Sequence, residues 1–394
     1  MDSSCCTSTC AAQIAMTPAN MYDSKMHSWG FKMMKDVLRR RKPEANNASS
    51  KVQIEAGVEV VQAEAKHMQS ACPSTACISA VRQPEPPAPS RQLCTADFSW
   101  VRIIGAGAFG RVWLARFIPT GEIVAIKMVS KAHVIRTGQM AHVMDERAML
   151  ARVAGHPFLV NLLATFQDLD CLYFVMNYVP GGEFFAYVRD HGRQTEERAR
   201  FYVAQIVLAL EYLHARRIAY RDLKPENLLI DASGYLRLTD LGFAKVVKGR
   251  THTLCGTPDY MAPEVLTGEG YTPAVDWWSL GCVIYEMLDG FPPFYSRSAP
   301  ETYARIRARD LVLPHHMSVL VRDLVDRLLH AIKDHPWFTN LDWGHVATKA
   351  YAAPYIPPLR SLDDTCCFDR FDHLPPLESG AGLAPIQQAC FKDF

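Results

Sequence analysis

The sequence lacks the features that mark nucleic-acid-binding, membrane-spanning and secreted proteins. Its 42 Lys and Arg residues nearly balance its 41 Asp and Glu residues, and a net charge of +1 gives no bulk attraction to nucleic acid or anionic membranes. No segment approaches the roughly 20 apolar residues that a membrane-spanning helix needs. The N-terminus has no apolar signal core, and Asp2 stands where myristoylation requires glycine. We therefore expect a cytosolic protein with access to the nucleus, no nucleic-acid partner and no membrane span.

The cysteines show neither the spacing of a metal-binding site nor that of a disulfide framework. There are 12 of them, without a CxxC pair, and they include the vicinal pairs Cys5-Cys6 and Cys366-Cys367. Scattered thiols of this kind are typical of a reduced cytosolic protein.

The composition changes near residue 92. Before it Ser, Ala, Gln, Met and Pro are common, and the proline-rich run at 84–89 is typical of a stiff linker. Apolar residues within 26–40 recur at roughly helical spacing. The basic run at 39–42 has two interpretations: a patch for nuclear import or an acidic partner, and a solvated helix end whose cations suit the helix dipole. We predict that residues 1–97 are a largely disordered N-terminal extension.

From Phe98 onward, strand-like segments precede helix-like ones. Runs rich in β-branched and apolar residues come first, and runs with helical apolar periodicity follow, which predicts the α+β fold class. The predicted strands are 101–104, 111–115 and 123–127, and the predicted helices are 199–215 and 280–288. After Phe338 the chain becomes a tail dotted with prolines and aromatic residues.

A glycine-rich segment, GAGAFG at 105–110, joins the first two predicted strands. Its glycines allow the backbone to approach phosphates closely and to point N–H groups at their oxygens. Dinucleotide-binding folds use the same glycine spacing, but there a helix follows, whereas a strand-like run follows here. The motif alone is weak evidence for either site.

Lys127 lies in an apolar run that predicts a strand, where an ammonium group is costly unless it meets anions. Phosphates and one carboxylate would satisfy it. We expect that carboxylate to be Glu146, in a helix predicted at 141–153 that ends before Gly155 and Pro157. The alternative is that Glu146 is an ordinary surface acid.

Two later motifs supply what phosphoryl transfer needs, namely a carboxylate base, a cation near the moving group and oxygen ligands for Mg²⁺. In the segment YRDLKPEN at 220–227, Asp222 and Lys224 provide the base and the cation. Asn227 and Asp240 provide the oxygen ligands. Each motif alone also fits a charged loop or a turn, but their appearance together and in this order makes chance negligible.

Together these motifs resemble the signature set of the protein-kinase superfamily. The segments 240–245, 251–258 and 262–264 are similar to the AGC group, and most similar to the catalytic subunits of cyclic-AMP-dependent protein kinase. Those subunits also carry tyrosine where Tyr220 stands, and their terminal Phe-x-x-Phe is similar to residues 391–394.

This resemblance runs from Phe98 to the end of the chain and implies a bilobal kinase fold. A small β-rich lobe and a larger helical lobe would occupy residues 98–338. An AGC-type tail at 339–394 would wrap both lobes, with Phe391 and Phe394 docked in an apolar groove on the small lobe.

The resemblance implies ATP and Mg²⁺ as cofactors and gives roles to the residues of the motifs. Lys127 would hold the α- and β-phosphates, Asp222 would be the catalytic base, and Lys224 would neutralise the transferred group. The implied catalytic residues are Asp222, Lys224, Lys127 and Glu146, and the implied metal ligands are Asn227 and Asp240. The implied nucleotide site comprises Gly105, Ala106, Gly107, Ala108, Phe109, Gly110, Val112, Ala125, Lys127, Met176, Val179, Glu183, Leu229 and Thr239.

The resemblance also implies an activating phosphorylation and a basic substrate sequence of the form Arg-Arg-x-Ser/Thr-apolar. Arginine–carboxylate pairs are directional and strong, which suits such recognition. The expected partners are substrates with upstream arginines and a separate cyclic-AMP-binding regulatory subunit. The implied phosphosite is Thr253, with His142, Arg221 and Lys245 as its cations. The implied substrate contacts are Glu183, Glu226 and Glu286 for arginines, and Leu254, Pro258 and Met261 for the apolar residue.

The sequence departs from the family pattern at several positions. Leu241 replaces the usual phenylalanine, and Phe371 replaces a tail tyrosine. The family's tail phosphosite shortly before the terminal Phe-x-x-Phe has no counterpart here. The most serious departure is at 329–332, where the family has a longer segment with an arginine that pairs with the glutamate matching Glu264. Either Glu264 is left buried and unpaired, at a substantial cost in stability, or another cation replaces that arginine.

Three hypotheses follow. The first is an active kinase of the cyclic-AMP-dependent type, and the second is another AGC kinase with similar pockets, which would not bind a cyclic-AMP-sensitive regulatory subunit. The third is an ATP-binding pseudokinase or scaffold. The shortened segment at 329–332 favours the third hypothesis, whereas the complete set of motif residues argues against it. That set comprises Lys127, Glu146, Asp222, Asn227 and Asp240.

Overall fold

The computed structural model describes the chain from Gln92 onward, with short gaps. The described residues are 92–107, 110–327, 333, 335–371, 373–375, 377 and 382–394. The predicted extension up to residue 91, with the helix and the basic run predicted within it, lies outside them. So does the shortened segment at 329–332.

An antiparallel five-stranded sheet forms the first part, the small lobe. Its strands are β1 (Phe98–Ala106), β2 (Gly110–Phe117), β3 (Ile123–Ser130), β4 (Leu162–Gln167) and β5 (Cys171–Asn177), in the order β1-β2-β3-β5-β4. Because side chains alternate between the faces of a strand, Val124 and Ile126 of β3 join one apolar cluster and Ala125 joins another. Lys127 shares the face of Ala125 and lies opposite Val112 of β2. The alternation thus directs the Lys127 side chain away from the cluster around Val124 and Ile126.

Two helices follow the third strand, α1 (Lys131–Arg136) and α2 (Met140–Arg152). In α2, Val143, Glu146 and Leu150 are buried. Their spacing of three and four residues places them on one face of the helix. Glu146 is therefore held on the inward side of α2 by its apolar neighbours on that face.

Helices dominate the second, large lobe. They are α3 (Phe184–His191), α4 (Glu196–Ala215), α5 (Pro263–Thr267), α6 (Val275–Asp289), α7 (Ala299–Ala308) and α8 (Val319–Asp326). Short strands pair between them: β6 (Ile218–Ala219) with β9 (Lys245–Val246), and β7 (Leu228–Ile230) with β8 (Leu236–Leu238). Helix α6 is buried along most of its length, as expected of an apolar helix at the centre of a domain, and it packs against α4.

The predicted α+β class and the bilobal arrangement are confirmed. Among the described residues, the predicted strands and helices are present, and most are longer than predicted; for example, the helix predicted at 199–215 begins at Glu196. The hydroxyl of Thr195 accepts the Arg198 N–H and caps that helix, which fixes its start. No helix among the described residues is long and apolar enough to cross a bilayer.

The chain after Phe338 contacts both lobes. It contains α9 (Trp343–Ala347), and on the large lobe the Tyr235 hydroxyl donates to the Tyr351 carbonyl at 2.5 Å. On the small lobe Arg116 forms an ion pair of 2.8 Å with Asp363. The boundaries 98–338 and 339–394 remain predictions.

The C-terminal residues dock on the small lobe as expected. After α10 (Pro385–Ala389), the side chains of Phe391 and Phe394 are 0% and 8% exposed. Gln167 of β4 donates to the Phe391 carbonyl at 2.7 Å. The rings of Phe394 and Phe174 of β5 meet edge to face at 5.1 Å. Burial of these two aromatic side chains gives the end of the chain a fixed position.

Candidate active site

The glycine-rich segment forms the turn between β1 and β2. The structure describes 105–107 and resumes at Gly110, whereas the tip at 108–109 lies outside the described residues. The Gly107 N–H donates to the Gly110 carbonyl at 3.0 Å. A Cβ on Gly110 would lie 2.0 Å from the Met128 carbonyl oxygen, so only glycine lets β2 approach β3 this closely.

Lys127 and Glu146 form an ion pair between β3 and α2. Lys127 Nζ lies 2.5 Å from Glu146 Oε1. Burial opposes the charge of Lys127, but attraction to Glu146 and to Asp240 outweighs it and holds the Lys127 pKa above its usual value. The structure therefore brings Lys127, Glu146 and Asp240 together around one space.

Asp222, Lys224 and Asn227 lie in one hydrogen-bonded network after β6. Lys224 Nζ is 2.9 Å from the buried Asp222 carboxylate, and the Asn227 amide nitrogen donates to it at 2.8 Å. Thr257 completes the network, since its hydroxyl donates to Asp222 Oδ1 and accepts from Lys224, each at 2.8 Å. These contacts fix the orientation of the Asp222 carboxylate and satisfy its buried charge.

Asp276 of α6 anchors the backbone that carries Asp222. Its fully buried carboxylate accepts the N–H groups of Tyr220 and Arg221, both at 2.8 Å, and also lies 2.8 Å from His214 Nε2. Arg221 has a left-handed backbone conformation with φ of 71°, which few residues other than glycine adopt. The hydrogen bonds to Asp276 hold the loop in this conformation and so position Asp222.

Asp240 also has a left-handed backbone, with φ of 54°. Its Oδ1 accepts the Gly242 N–H at 3.1 Å. The residue before it, Thr239, donates its N–H to the Asn227 carbonyl at 2.9 Å, which brings Asn227 and Asp240 near each other. Leu241 is buried in the main core, so this leucine occupies an apolar packing site.

The predicted nucleotide residues line the region where the two lobes meet. Ala125 packs in a small apolar cluster with Ile104 and Leu114, and Val112 packs against that cluster. From the tail, Phe368 packs against the same cluster. The remaining predicted contacts come from β5, the linker after it, and the large lobe. Met176 and Val179 are buried, and Leu229 is half-buried. The backbones of Glu183 and Leu229 pair in an antiparallel β-bridge.

An acidic group formed by Glu183, Glu226, Asp259 and Glu286 lies beside the Asp222 loop. Burial, together with the charge of Glu226, raises the pKa of Glu286 to about 8, that of Glu183 to about 7 and that of Asp259 to about 6. Burial also raises the Glu226 pKa, and Glu226 Oε2 has no hydrogen-bond partner among the described residues. The Tyr260 hydroxyl, from outside the group, donates to the Glu286 carboxylate at 2.6 Å. The carboxyl groups of this group therefore resist ionisation, because each new negative charge is buried and repelled by its neighbours.

The predicted phosphosite Thr253 is exposed. The Tyr271 hydroxyl donates to the Thr253 carbonyl at 2.5 Å, and Arg221 donates to that hydroxyl at 3.1 Å. Lys245 donates instead to the threonine two residues earlier, at 3.2 Å. His142 is exposed on α2, and in the described part of the chain no hydrogen bond joins it to Thr253. The structure thus links one of the three predicted cations, Arg221, to the Thr253 backbone through the Tyr271 hydroxyl.

The residues predicted for the apolar substrate pocket differ in exposure. Leu254 is 63% exposed, Pro258 is half-buried, and Met261 is buried. Met261 lines a small cavity together with Cys255 and with residues of α5 and α6. Neither Leu254 nor Pro258 lines that cavity, so the structure does not bring the three together there.

The expectation that Glu264 is buried is wrong. Glu264 lies in the first turn of α5 and is only half-buried. No ion pair reaches it within the described residues. Because the residue is partly exposed, the lack of a partner costs less than it would in the core.

Sequence reasoning missed three residues of this site. Thr257 lies in the marked segment 251–258 and Asp259 directly follows it, and their hydroxyl and carboxyl groups were the available signal. Asp276 lies in the first turn of a largely apolar helix, where a buried acid signals a structural contact. Its distance from the motif in sequence hid the target of that contact.

In the described part of the chain, no three His, Cys, Asp or Glu side chains are placed to hold a metal ion together. The predicted metal ligands are one carboxylate, Asp240, and one amide, Asn227. Asn227 uses its amide nitrogen for the Asp222 side chain and carbonyl, which leaves its oxygen for a hard cation. This donor set fits Mg²⁺, which usually takes a few protein oxygens and completes its shell with phosphate and water.

Comparison with known proteins agrees with this geometry. The family model described as "Protein kinase domain" matches residues 98–335. The human cAMP-dependent protein kinase catalytic subunit PRKX is 41% identical over 341 residues, covering 82% of this chain and 92% of that protein. The RAC family serine/threonine-protein kinase homolog of Dictyostelium discoideum is 41% identical over 327 residues, covering 78% and 73%.

A yeast relative extends the comparison. The cAMP-dependent protein kinase type 3 of Saccharomyces cerevisiae is 42% identical over 298 residues, covering 72% of this chain and 75% of that protein. Relatives with both kinds of name are similarly identical to this chain, so identity does not separate them. This chain belongs to the protein kinase family and is a serine/threonine kinase of the AGC type, related to the catalytic subunits of cyclic-AMP-dependent protein kinase.

Proposed function

We propose that this kinase transfers the γ-phosphoryl group of Mg-ATP to Ser or Thr in Arg-Arg-x-Ser/Thr-apolar sequences, as a catalytic subunit of the cyclic-AMP-dependent type. The observation that carries the substrate assignment is the acidic group beside Asp222. Carboxylates gathered in a partly desolvated site lose stability by mutual repulsion unless a cation neutralises them. Substrate arginines neutralise them and form directional forks with their oxygens.

Binding of the nucleotide phosphates rests on Lys127 and the glycine-rich turn. Glu146 holds the Lys127 ammonium at 2.5 Å, so the cation is positioned before ATP arrives. The backbone N–H groups of the turn then face phosphate oxygens, as in other anion-binding turns. Asn227 and Asp240 would hold Mg²⁺, which would supply charge neutralisation at the phosphate oxygens.

Asp222 acts as the base. It orients the substrate hydroxyl and accepts its proton, with its own oxygens held by Thr257 and Asn227. Lys224, 2.9 Å from Asp222, neutralises charge on the group in transfer. Little covalent chemistry is needed from the protein, because positioning and charge stabilisation supply most of the catalysis in phosphoryl transfer.

Regulation follows from two further features. Phosphorylation of the exposed Thr253 adds a charge near −2, which attracts Arg221 and Lys245 and orders the loop beside Asp222. A regulatory subunit whose pseudosubstrate arginines fill the acidic group holds the kinase inactive until cyclic AMP releases it. The catalytic subunits named among the relatives support this partner.

The test is Mg-ATP-dependent transfer to an Arg-Arg-x-Ser peptide by the wild-type chain and by the Asp222→Ala variant. We expect transfer by the wild type and a loss of about 100-fold or more in the variant, the scale of losing a positioned base. Equal rates for the two proteins would show that this site does not catalyse transfer. ATP binding without transfer by the wild type would favour the pseudokinase hypothesis.

Substrate specificity and the partner need separate measurements. A peptide array that shows no preference for upstream arginine would refute the basic consensus. A cyclic-AMP-binding regulatory subunit should inhibit the chain and release it when cyclic AMP is added. Absence of this inhibition would favour another AGC kinase with similar pockets.

A further inference from the structure

A pair of adjacent cysteines occupies a tight turn of the tail. Cys366 and Cys367 are the two central residues of a turn that the Phe368 N–H closes on the Thr365 carbonyl at 3.0 Å. The Cys366 N–H donates to Asp364 Oδ1 at 2.9 Å. The two sulfur atoms lie 3.7 Å apart. Both thiols are therefore held on the same side of one turn.

This turn lies against the linker that follows β5. Gly182 of the linker has φ of 75°, and a Cβ there would lie 2.5 Å from the Cys367 carbonyl oxygen. The Tyr178 hydroxyl donates to the Asp364 carbonyl at 2.6 Å. The backbone on both sides of the cysteine pair is thus fixed to the segment that joins the two lobes.

Phe368 connects the turn to the predicted nucleotide pocket. Its ring lies 5.8 Å from the ring of Tyr178. It also packs against the apolar cluster of Ile104, Leu114 and Ala125 on the sheet. A change in the turn therefore has a direct route to the pocket, through the neighbouring residue.

We propose that Cys366 and Cys367 are a redox-active vicinal dithiol, and that its oxidation to a disulfide displaces Phe368 and weakens nucleotide binding. The effect on the nucleotide rests on the proposed function. The oxidant is a hydroperoxide. It oxidises the exposed Cys366 thiol to a sulfenic acid and is itself reduced to water or an alcohol. The Cys367 sulfur then attacks the Cys366 sulfur, a sulfur–sulfur bond forms, and the sulfenic oxygen leaves as water with the Cys367 proton.

The environments of the two thiols favour this order of events. Cys366 is exposed, so a hydroperoxide reaches it first. Cys367 is half-buried, and burial, with Cys366 beside it, raises its pKa to about 12. Cys367 is thus a poor first target, but its sulfur is already placed next to the sulfenic acid.

The resulting disulfide belongs to the reversible class. Disulfides usually join residues whose Cα atoms are about 5.5 Å apart, whereas neighbouring Cα atoms are about 3.8 Å apart. A bond forced into this spacing is strained, and strained, exposed disulfides are easily reduced and often regulatory. Because Gly182 restrains the Cys367 backbone, the adjustment falls on Cys366 and Phe368.

The chemistry is tested on the full chain by peptide mass spectrometry after hydrogen peroxide treatment. Trypsin releases residues 361–370 as one peptide that contains both cysteines and no other. We expect this peptide to become two hydrogen atoms lighter and to regain them with dithiothreitol. A Cys366→Ser variant should show no such change, whereas a Cys94→Ser variant, which removes another exposed thiol, should behave like wild type. Irreversible addition of oxygen atoms to Cys366 without formation of the Cys366–Cys367 disulfide would overturn the proposal.

The coupling is tested by nucleotide affinity, measured as a Kd for Mg-ATP by calorimetry. We expect oxidation to weaken binding by roughly tenfold or less, the scale of losing one aromatic contact. Because coupling is reciprocal, saturating Mg-ATP should lower the equilibrium constant for disulfide formation, measured against a thiol–disulfide redox buffer, by the same factor. An unchanged Kd in the oxidised chain would overturn the coupling. Failure of the reduced chain to bind Mg-ATP would instead refute the proposed function, while the mass measurement still tests the dithiol.

Discussion

The Thr257 hydroxyl donates a 2.8 Å hydrogen bond to Oδ1 of Asp222, 35 residues earlier in the chain. The same hydroxyl accepts a hydrogen bond from Lys224. One short side chain thus connects the segment after the phosphosite to the proposed base. This contact gives the segment that carries Thr257 a direct influence on the orientation of Asp222.

Replacing Thr257 tests this connection. In Thr257→Val the shape is kept but the hydroxyl is lost, so the Asp222 carboxylate is less well oriented. We expect kcat to fall by up to about 100-fold, the scale of a small misplacement of a catalytic group. Thr257→Ser keeps the hydroxyl and should retain most of the activity. Similar rates for the valine and serine variants, measured with saturating peptide and ATP, would contradict this role.

Breaking the Lys127–Glu146 pair should destabilise the protein as well as inactivate it. Lys127→Met leaves the Glu146 carboxylate buried without its cation, and we expect the free energy of unfolding to fall by about 3 kcal/mol. The double variant Lys127→Met/Glu146→Leu removes both charges and should recover much of this loss. Urea denaturation measures the free energy of unfolding of the single and the double variant. If the double variant is no more stable than the single one, the two charges do not act as a pair.

The raised pKa values of the acidic group predict the pH dependence of substrate binding. Between about pH 6 and about pH 8 the carboxyl groups of Asp259, Glu183 and Glu286 lose their protons in turn as pH rises. Only the ionised form attracts arginine. The KM for an Arg-Arg-x-Ser peptide should therefore fall as pH rises through this window, while a peptide without arginine shows little change. The same slope for both peptides would count against the acidic group.

Ionisation of the same carboxyl groups, which favours peptide binding as pH rises, lowers the stability of the folded chain. Their folded-state pKa values lie above the ordinary carboxyl value, so the folded chain holds more protons than the unfolded chain within this window. The stability they contribute is complete below the unfolded pKa and is lost as pH rises through the folded pKa. Glu286→Gln should therefore reduce the fall in Tm between pH 6 and about pH 8. An unaltered Tm profile in this variant would argue that Glu286 ionises normally.

The docked C-terminus should contribute measurably to stability. Phe391 is fully buried, and Phe391→Ala should lower the free energy of unfolding by about 3 to 5 kcal/mol. Lys392 is exposed, and Lys392→Ala should change it by no more than about 0.5 kcal/mol. Denaturation curves of the two variants provide the comparison. Equal stability of both would mean that the small lobe does not depend on this contact.

Local sequence patterns were sufficient to place most of the secondary structure and the motif residues. The alternation in β3 determined that Lys127 shares a face with Ala125, and the spacing in α2 determined that Glu146 faces inward. The ends of elements were less accurate, because caps such as Thr195 lie outside the periodic segment. Exposure of Glu264 was misjudged because it depends on contacts that the local pattern does not describe.

The sequence by itself determined the fold class, the order of the motifs and the chemical groups available for phosphoryl transfer, since these depend on periodicity and on residue type. Only the tertiary structure decided that Asp276 holds the Asp222 loop, that Thr257 bridges Lys224 and Asp222, and that Phe368 reaches the sheet. These contacts join residues far apart in the chain. Their geometry depends on how the two lobes and the tail pack, and no local pattern contains that information.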